Sequence, residues 1–201
     1  MDDKKPAWLF WCDCETTGLN EKESSIVELS YMVTEFNYPY ALSTNGVSRG
    51  TYLIRGPGRD NLINGRCSLA IQEMHSNNGL IKDLEDESKT TSLFTVESDL
   101  LAISEEWTTE KDKRVVIAGN SVGFDLRFLQ QYIPAFASRL SHRVFDVSSM
   151  STQLRSLGMS RLPKSSAPAH RALEDVESSL LQARACADWV LGGARTAETT
   201  A

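Results

Sequence analysis

Residues 8–18 read Trp-Leu-Phe-Trp-Cys-Asp-Cys-Glu-Thr-Thr-Gly, an unbroken apolar run followed by two acids and a turn. Continuous apolar residues such as Trp8 to Cys12 are typical of a central strand that is covered on both faces of a sheet. The Thr-Thr-Gly that follows indicates that the chain turns away immediately after the acids. This stretch therefore predicts a buried strand whose end carries carboxylates.

Further strands and helices alternate along the rest of the chain. The clearest helix covers residues 93–107, where apolar residues recur in steps of three and four. Strands followed by alternating strands and helices favour one α/β domain, with a mixed five-stranded sheet and helices on both faces. The predicted strands are 8–13, 25–36, 51–54, 115–119 and 144–146, and the predicted helices are 69–86 with an interruption at 77–79, 93–107, 125–132, 134–140, 148–157 and a long final helix from 173.

The domain is expected to cover residues 1–191, because neither an internal repeat nor a domain-separating linker interrupts the pattern. Gly56, Pro57 and Gly58 indicate turns, and residues 161–169 form a Ser-, Pro- and Lys-containing connection before the final helix. Residues 192–201 contain little that could pack against a core, so we predict a mobile C-terminal tail.

The charge balance limits the class of partner. The 201 residues include 21 Lys and Arg against 27 Asp and Glu, which gives a formal net charge of −6. Proteins that hold long nucleic acids through their phosphates usually carry a basic excess. A nucleic-acid partner of this chain is therefore expected to be short or locally bound.

The sequence also predicts a compartment. No apolar run approaches the roughly 18 residues of a membrane-spanning helix, and the acidic start lacks the features of a signal or transit peptide. We therefore expect a cytoplasmic protein without a membrane partner. Its four cysteines, Cys12, Cys14, Cys67 and Cys186, form no Cys-x-x-Cys pair and are expected to be free thiols.

Three acidic motifs could form one site. Asp13 and Glu15 alternate along a strand, so both side chains lie on the same face, where their charges repel unless a cation neutralises them. Asp125 follows a second apolar strand and a polar turn. Asp175 can join them together with His170, provided that His170 precedes the final helix and Asp175 lies in its first turns. The alternatives are ordinary surface acids, a first-turn helix acid at Asp125 and a capping histidine.

Taken in order, D-x-E-T-T-G, N-x-x-x-F-D and H-x-x-x-x-D resemble the motifs of the DEDDh 3′-to-5′ exonucleases. Within that superfamily the chain is most similar to the oligoribonucleases. The resemblance covers nearly the whole chain and implies an RNase H-like fold. The similar segments are residues 13–19, 74–80, 119–121 with 125 and 127–129, 142–148 and 170–175.

The resemblance implies a two-metal hydrolase that releases 5′-mononucleotides from very short RNA. It assigns two divalent ions, Mg²⁺ or Mn²⁺, to Asp13, Glu15, Asp125 and Asp175, and it assigns the general base to His170. The chemistry agrees, because hard cations prefer carboxylate oxygens and a neutral imidazole suits a general base.

The resemblance also implies substrate contacts. Leu19 corresponds to a residue that wedges between bases, and Ser121 and Arg143 correspond to residues that contact the 5′ phosphate. His75 corresponds to a histidine near the site, with structural support as the alternative role. Short single-stranded RNA is the implied partner, and a homodimer is the implied assembly.

Three departures from the oligoribonuclease pattern keep a second function open. Ala70 stands where a base-stacking Trp is usual, His142 stands where a Tyr from the dimer partner is usual, and the first motif reads E-T-T-G instead of E-M-T-G. The alternative is an exonuclease of the proofreading or RNase T type that acts on 3′ ends of longer DNA or RNA. A third possibility is a binding module that has lost the chemistry, although all four acids and the histidine are present.

Overall fold

The computed structural model describes residues 8–42, 49–107, 115–160, 162 and 170–198. In this part of the chain six strands form one mixed sheet, in the order β4-β3-β2-β1-β5-β6. β1 pairs antiparallel with β2 and parallel with β5, which places the first strand at the centre of the sheet. The strands are β1 Trp8–Thr16, β2 Ile26–Glu35, β3 Arg49–Ile54, β4 Thr90–Thr91, β5 Val115–Gly119 and β6 Leu140–Asp146.

Eight α-helices surround the described sheet. The helices are α1 Pro57–Ile63, α2 Leu69–Asn77, α3 Leu80–Glu85, α4 Leu93–Trp107, α5 Gly123–Tyr132, α6 Pro134–Ala137, α7 Val147–Ser156 and α8 Ala172–Glu198. The predicted mixed α/β class is confirmed.

The prediction of five strands was wrong, because β4 adds a sixth. This strand consists of Thr90 and Thr91 and pairs with the end of β3. Two residues are too few to produce an alternating pattern, so the sequence offered no signal for it. The predicted turn at Gly56–Gly58 is also corrected, because α1 begins at Pro57. Proline is favoured in the first helical turn, where its missing N–H removes no hydrogen bond.

Alternating residues of β1 contribute to two separate cores. Phe10 and Cys12 pack in a cluster with residues of α4, α5 and α6, such as Val96, Phe128 and Phe136. Leu9 and Trp11 pack on the opposite face with residues of α7 and α8, including Val147, Val176, Leu180 and Ala183. The sheet is therefore covered on both faces, as the apolar run at residues 8–12 predicts.

Helix α8 continues to Glu198, so residues 192–198 of the predicted tail belong to this helix. Mobility of the C-terminal segment stays a prediction. Residues 1–7, the connection at 161 and 163–169, and residues 199–201 lie outside the described residues.

All four cysteines are free, and three of them are buried. Within the described ranges, no helix combines the length and apolarity needed to cross a bilayer.

Candidate active site

The end of β1 places two carboxylates on one face of the sheet. Side chains alternate along a strand, so Asp13 and Glu15 continue the row begun by Leu9 and Trp11, on the side covered by α8. Glu15 is 6% exposed, and Asp13 is half-buried. The pair therefore lies between the sheet and the beginning of α8.

Asp125 reaches the same place from the neighbouring strand. β5 ends at Gly119, the backbone turns with a left-handed residue at Ser121 (φ 52°), and α5 begins at Gly123. Asp125 lies in the first turn of α5 and is 3% exposed. Its Oδ1 accepts a hydrogen bond of 2.8 Å from the backbone N–H of Cys14, the residue between the two acids of β1.

His170 and Asp175 meet the geometric condition set by the sequence. His170 precedes α8, which begins at Ala172, so Asp175 lies in the first turn. The backbone N–H of His170 donates a 2.9 Å hydrogen bond to Oδ2 of Asp175. One ligand atom each of Glu15, His170 and Asp175 lies within 4.8 Å of the others.

The four acids and His170 line one cavity of about 320 Å³. Leu19 and Ser121, two of the residues predicted to contact substrate, line it as well. The side chain of Leu19 is 82% exposed, as a residue that inserts between bases would need to be.

Burial and mutual repulsion favour the protonated forms of these acids. Burial raises the pKa of Glu15 to about 8 and that of Asp125 to about 7. Burial, followed by the charges of Asp125 and Glu15, raises the pKa of Asp13 well above its usual range. The pKa of Asp175 is also raised by burial.

The donor set fits divalent cations. Several carboxylates converge on the cavity, and no Lys or Arg is among the described residues that line it. Concentrated negative charge without a basic partner is costly unless a cation neutralises it, and carboxylate oxygens are the ligands that Mg²⁺ and Mn²⁺ prefer.

Arg143 and His75 do not line this cavity. Arg143 lies on β6 and is exposed. His75 is fully buried in α2, where its Nε2 lies 3.2 Å from the carbonyl oxygen of Thr16 and its Nδ1 lies 3.9 Å from Oε2 of Glu15. Burial lowers the pKa of His75. These contacts fit the alternative of structural support for the end of β1 better than contact with substrate.

Three apolar wall residues, Ile71, Met74 and Phe124, were not predicted as site residues. Met74 lies inside a segment that resembles the oligoribonucleases, and Phe124 is the aromatic residue of the N-x-x-x-F-D motif. These resemblances were the signals by which the two residues could have been found. Ile71 lies one residue after Ala70, in a helix whose position relative to the cavity the sequence could not reveal.

Comparison with known proteins identifies relatives along most of the chain, although no family model matches it. The mitochondrial oligoribonuclease of Bos taurus is 30% identical over 176 residues, which cover 86% of this chain and 68% of the bovine protein. The chain belongs to the oligoribonuclease family. The mitochondrial oligoribonuclease of Saccharomyces cerevisiae is 32% identical over 180 residues, which cover 87% of this chain and 64% of the yeast protein. The oligoribonuclease of Mycobacterium tuberculosis is 29% identical over 88% of this chain and 78% of its own length.

Solved structures confirm the predicted RNase H-like exonuclease fold. The metal-free E. coli ExoI–ssDNA complex superposes with a TM-score of 0.58 at 14% identity, covering 89% of this chain and 39% of that chain. Exonuclease I of Methylocaldum szegediense gives a TM-score of 0.57 at 15% identity, over 89% of this chain and 40% of its own. The relatives therefore confirm the predicted resemblance to the oligoribonucleases, and the solved structures confirm the fold.

Proposed function

We propose that this oligoribonuclease family member is a metal-dependent 3′-to-5′ exoribonuclease that hydrolyses very short RNA, down to dinucleotides, to 5′-mononucleotides. The observation that carries the proposal is the convergence of four carboxylates and one imidazole on a single cavity. The names of the relatives agree with this function.

Asp13, Glu15, Asp125 and Asp175 are the residues that would hold two divalent ions. Bound Mg²⁺ or Mn²⁺ would supply Lewis-acid chemistry, which lowers the pKa of water and offsets the charge of the scissile phosphate. The protein fixes two of these ligands through the backbone, since Asp125 accepts from Cys14 N–H and Asp175 accepts from His170 N–H.

His170 is proposed to take the proton from the attacking water. The imidazole is the one basic side chain among the described residues that line the cavity. A neutral imidazole can accept a proton near physiological pH and pass it to solvent, and the exposed position of His170 permits that exchange.

Leu19 and Ser121 are proposed to position the nucleotides. Leu19 offers an apolar edge to the bases, and the hydroxyl of Ser121, which lies 3.2 Å from that of Ser148, can donate to a phosphate. The proposed role of Arg143 at the 5′ phosphate requires its side chain to reach the cavity from β6. His75 is retained as a support for Thr16 and Glu15.

The departures at Ala70 and in the E-T-T-G motif favour one rival function, the trimming of longer DNA or RNA 3′ ends. Ala70 is exposed in α2, beside Ile71, so the cavity wall here is aliphatic at the place where the family pattern has a base-stacking Trp. Base stacking on an aromatic ring contributes about 1–3 kcal/mol, and its absence weakens the preference for a dinucleotide.

The compartment and the assembly also remain predictions. We retain the cytoplasm as the expected compartment, while the yeast and bovine relatives are named as mitochondrial proteins. A homodimer is expected from the resemblance alone, and His142 replaces the residue that usually crosses the dimer interface.

A substrate-length series with and without EDTA tests the function. We expect a labelled RNA dinucleotide to be consumed faster than a seven-nucleotide RNA or a 20-nucleotide DNA, with Mn²⁺ required and mononucleotide released. Fastest loss of the DNA would favour the rival function. Binding of RNA without any metal-dependent product would instead identify a binding module. Protein carrying Asp175→Asn, purified in parallel, controls for a contaminating nuclease.

A further inference from the structure

A buried ion pair connects β2 to the beginning of α8. Glu28 lies on β2, opposite Glu15 of β1 in the sheet register, and is 1% exposed. Oε1 of Glu28 accepts from Nη2 and Nε of Arg171 at 2.9 and 3.2 Å. A carboxylate removed from water is tolerated only with such partners.

Glu28 also caps the helix that carries Asp175. Its Oε2 accepts a 3.0 Å hydrogen bond from the backbone N–H of Ala172, the first residue of α8. The first N–H groups of a helix lack partners within the helix and carry partial positive charge, so an anion is stabilising there. The side chain of Glu28 therefore binds both the side chain of Arg171 and the backbone of Ala172 at the start of α8.

Further contacts hold residues 170–172 beside His170 and Asp175. Arg171 binds Asp83 through Nη1 at 2.9 Å in addition to Glu28, and its carbonyl oxygen accepts from Asp175 N–H at 3.0 Å. The side-chain amide of Asn78 donates to the carbonyl oxygen of His170.

His170 needs this restraint, because its backbone adopts a left-handed conformation (φ 71°). This conformation is unfavourable for a residue with a β-carbon and persists only where neighbouring contacts enforce it. If the segment relaxed, the imidazole would leave the position within 4.8 Å of the Glu15 and Asp175 oxygens.

We infer that Glu28 and Arg171 are positioning residues, which hold His170 and Asp175 in the arrangement needed for hydrolysis. Neither side chain is among the residues that line the cavity. The inference rests on the proposed function for its kinetic part, whereas its metal-binding part does not depend on which nucleic acid is cleaved.

The test compares Arg171→Ala, Arg171→Lys and Glu28→Gln with a matched control on the same helix. The control is Arg184→Ala, because Arg184 also ties α8 to another segment, through the carbonyl oxygens of Pro39 and Tyr40. Arg184 lies nine residues beyond Asp175, which is about 13 Å along a helix. All proteins are measured at a temperature where circular dichroism shows that they are folded.

We expect Arg171→Ala to lower kcat by roughly 10- to 100-fold, with KM changed less than about threefold, and to weaken Mn²⁺ binding in calorimetry by roughly 10-fold. Arg171→Lys keeps the charge but loses the bidentate contact with Glu28. It should therefore show smaller losses of kcat and Mn²⁺ affinity than Arg171→Ala. Glu28→Gln keeps an acceptor for Ala172 N–H and should show a smaller loss than Arg171→Ala.

Two outcomes would overturn the inference. Folded Arg171→Ala with unchanged kcat and Mn²⁺ affinity would reduce the ion pair to a purely structural contact, and an equal loss in Arg184→Ala would show a general effect of loosening α8. If the unsubstituted protein cleaved no RNA, the proposed function would fail, while the Mn²⁺ titrations would still decide the positioning role.

Discussion

The side chain of Asp175 connects His170, the proposed general base, to the other proposed metal ligands. Its Oδ2 accepts from the backbone of His170, while its carboxylate faces Glu15. Burial raises its pKa, which shows that the charged form is disfavoured in the absence of a cation. In its proposed role as a metal ligand, the Asp175 carboxylate would therefore serve hydrolysis at the expense of the stability of the metal-free fold.

Replacement of the Asp175 carboxylate separates its proposed effect on hydrolysis from its effect on stability. We expect Asp175→Asn to lower kcat at least about 100-fold, because loss of a direct ligand should exceed the effect of losing a supporting contact. In EDTA its melting temperature should equal or exceed that of the unsubstituted protein, since one repulsive charge is removed. Radiolabelled product release and thermal unfolding measure the two quantities.

The control for this prediction is Glu174→Gln, which removes a neighbouring first-turn acid that does not line the cavity. It should leave kcat unchanged. Turnover by Asp175→Asn at the unsubstituted rate would refute the assignment of this residue.

The sequence patterns were sufficient to predict that the acids lie close together. They were not sufficient to predict where the supporting residues lie. The period of a strand puts Asp13 and Glu15 on one face, and the start of a helix orients Asp125 and Asp175. The burial of His75 could not be predicted, because it depends on how α2 packs against the end of β1.

At the scale of the element, Gly119 permits the close approach of β5 to β1. A β-carbon at Gly119 would lie 2.9 Å from the carbonyl oxygen of Cys12 and 3.2 Å from a methyl group of Val122. The backbone oxygen cannot move away without disturbing the strand that carries Asp13. Only glycine fits at this position without a steric clash. The close approach of the two strands brings the turn that leads to Asp125 next to β1.

We expect Gly119→Ala to reduce the free energy of unfolding by about 1–3 kcal/mol, as other overpacked positions do. Urea denaturation measures the change. The matched control is Gly123→Ala at the start of α5, where a β-carbon would meet nothing within 4 Å. That substitution should be neutral or stabilising by up to about 1 kcal/mol, because alanine favours helix. Equal destabilisation by both would contradict the steric argument.

Elements with strong periodicity or a continuous apolar run were predicted, whereas β4 and α1 were not. Helix α4 matches its prediction because five apolar residues mark one face over 15 positions. β4 is two residues long, and α1 begins where Gly56, Pro57 and Gly58 indicate a turn. Strand β4 forms because it pairs with β3, and α1 forms with a proline in its first turn. The preferences of single residues predict neither element.

At the scale of the whole molecule, metal binding at the proposed site would be coupled to folding. The proposed ligands come from β1, α5 and α8, so the complete site exists only in the folded chain. A ligand that binds only the folded state stabilises it, by about 2.7 kcal/mol at 100 times its dissociation constant. For a chain of this size, that corresponds to roughly 5–10 °C in melting temperature.

Thermal melts with Mn²⁺ or Mg²⁺ are therefore expected to shift upward by several degrees relative to melts in EDTA. The shift should be much smaller in Asp13→Asn and should remain in Glu174→Gln. A melt that is insensitive to both ions would count against the proposed cation site.

The metal-free protein should also lose stability as the pH rises. The pKa of Glu15 is about 8 and that of Asp125 about 7 in the folded state, both above the ordinary values of carboxylic acids. Between the ordinary range and these values the folded state binds more protons than the unfolded state, so the free energy of unfolding falls with increasing pH.

Urea denaturation in EDTA at pH 5.5 and pH 8.5 tests this linkage. We expect lower stability at pH 8.5 and a weaker dependence in Asp13→Asn, which lacks one of the mutually repelling charges. Higher stability at pH 8.5 would show that the carboxylates ionise freely in the fold.

The order of the elements along the chain has a consequence for biosynthesis. β1, the first of the described elements, supplies Asp13 and Glu15, whereas α8, which follows all the others, supplies Asp175. A nascent chain therefore lacks one of the four proposed ligands until α8 has emerged from the ribosome. We therefore expect that a partly translated chain cannot assemble the proposed cation site.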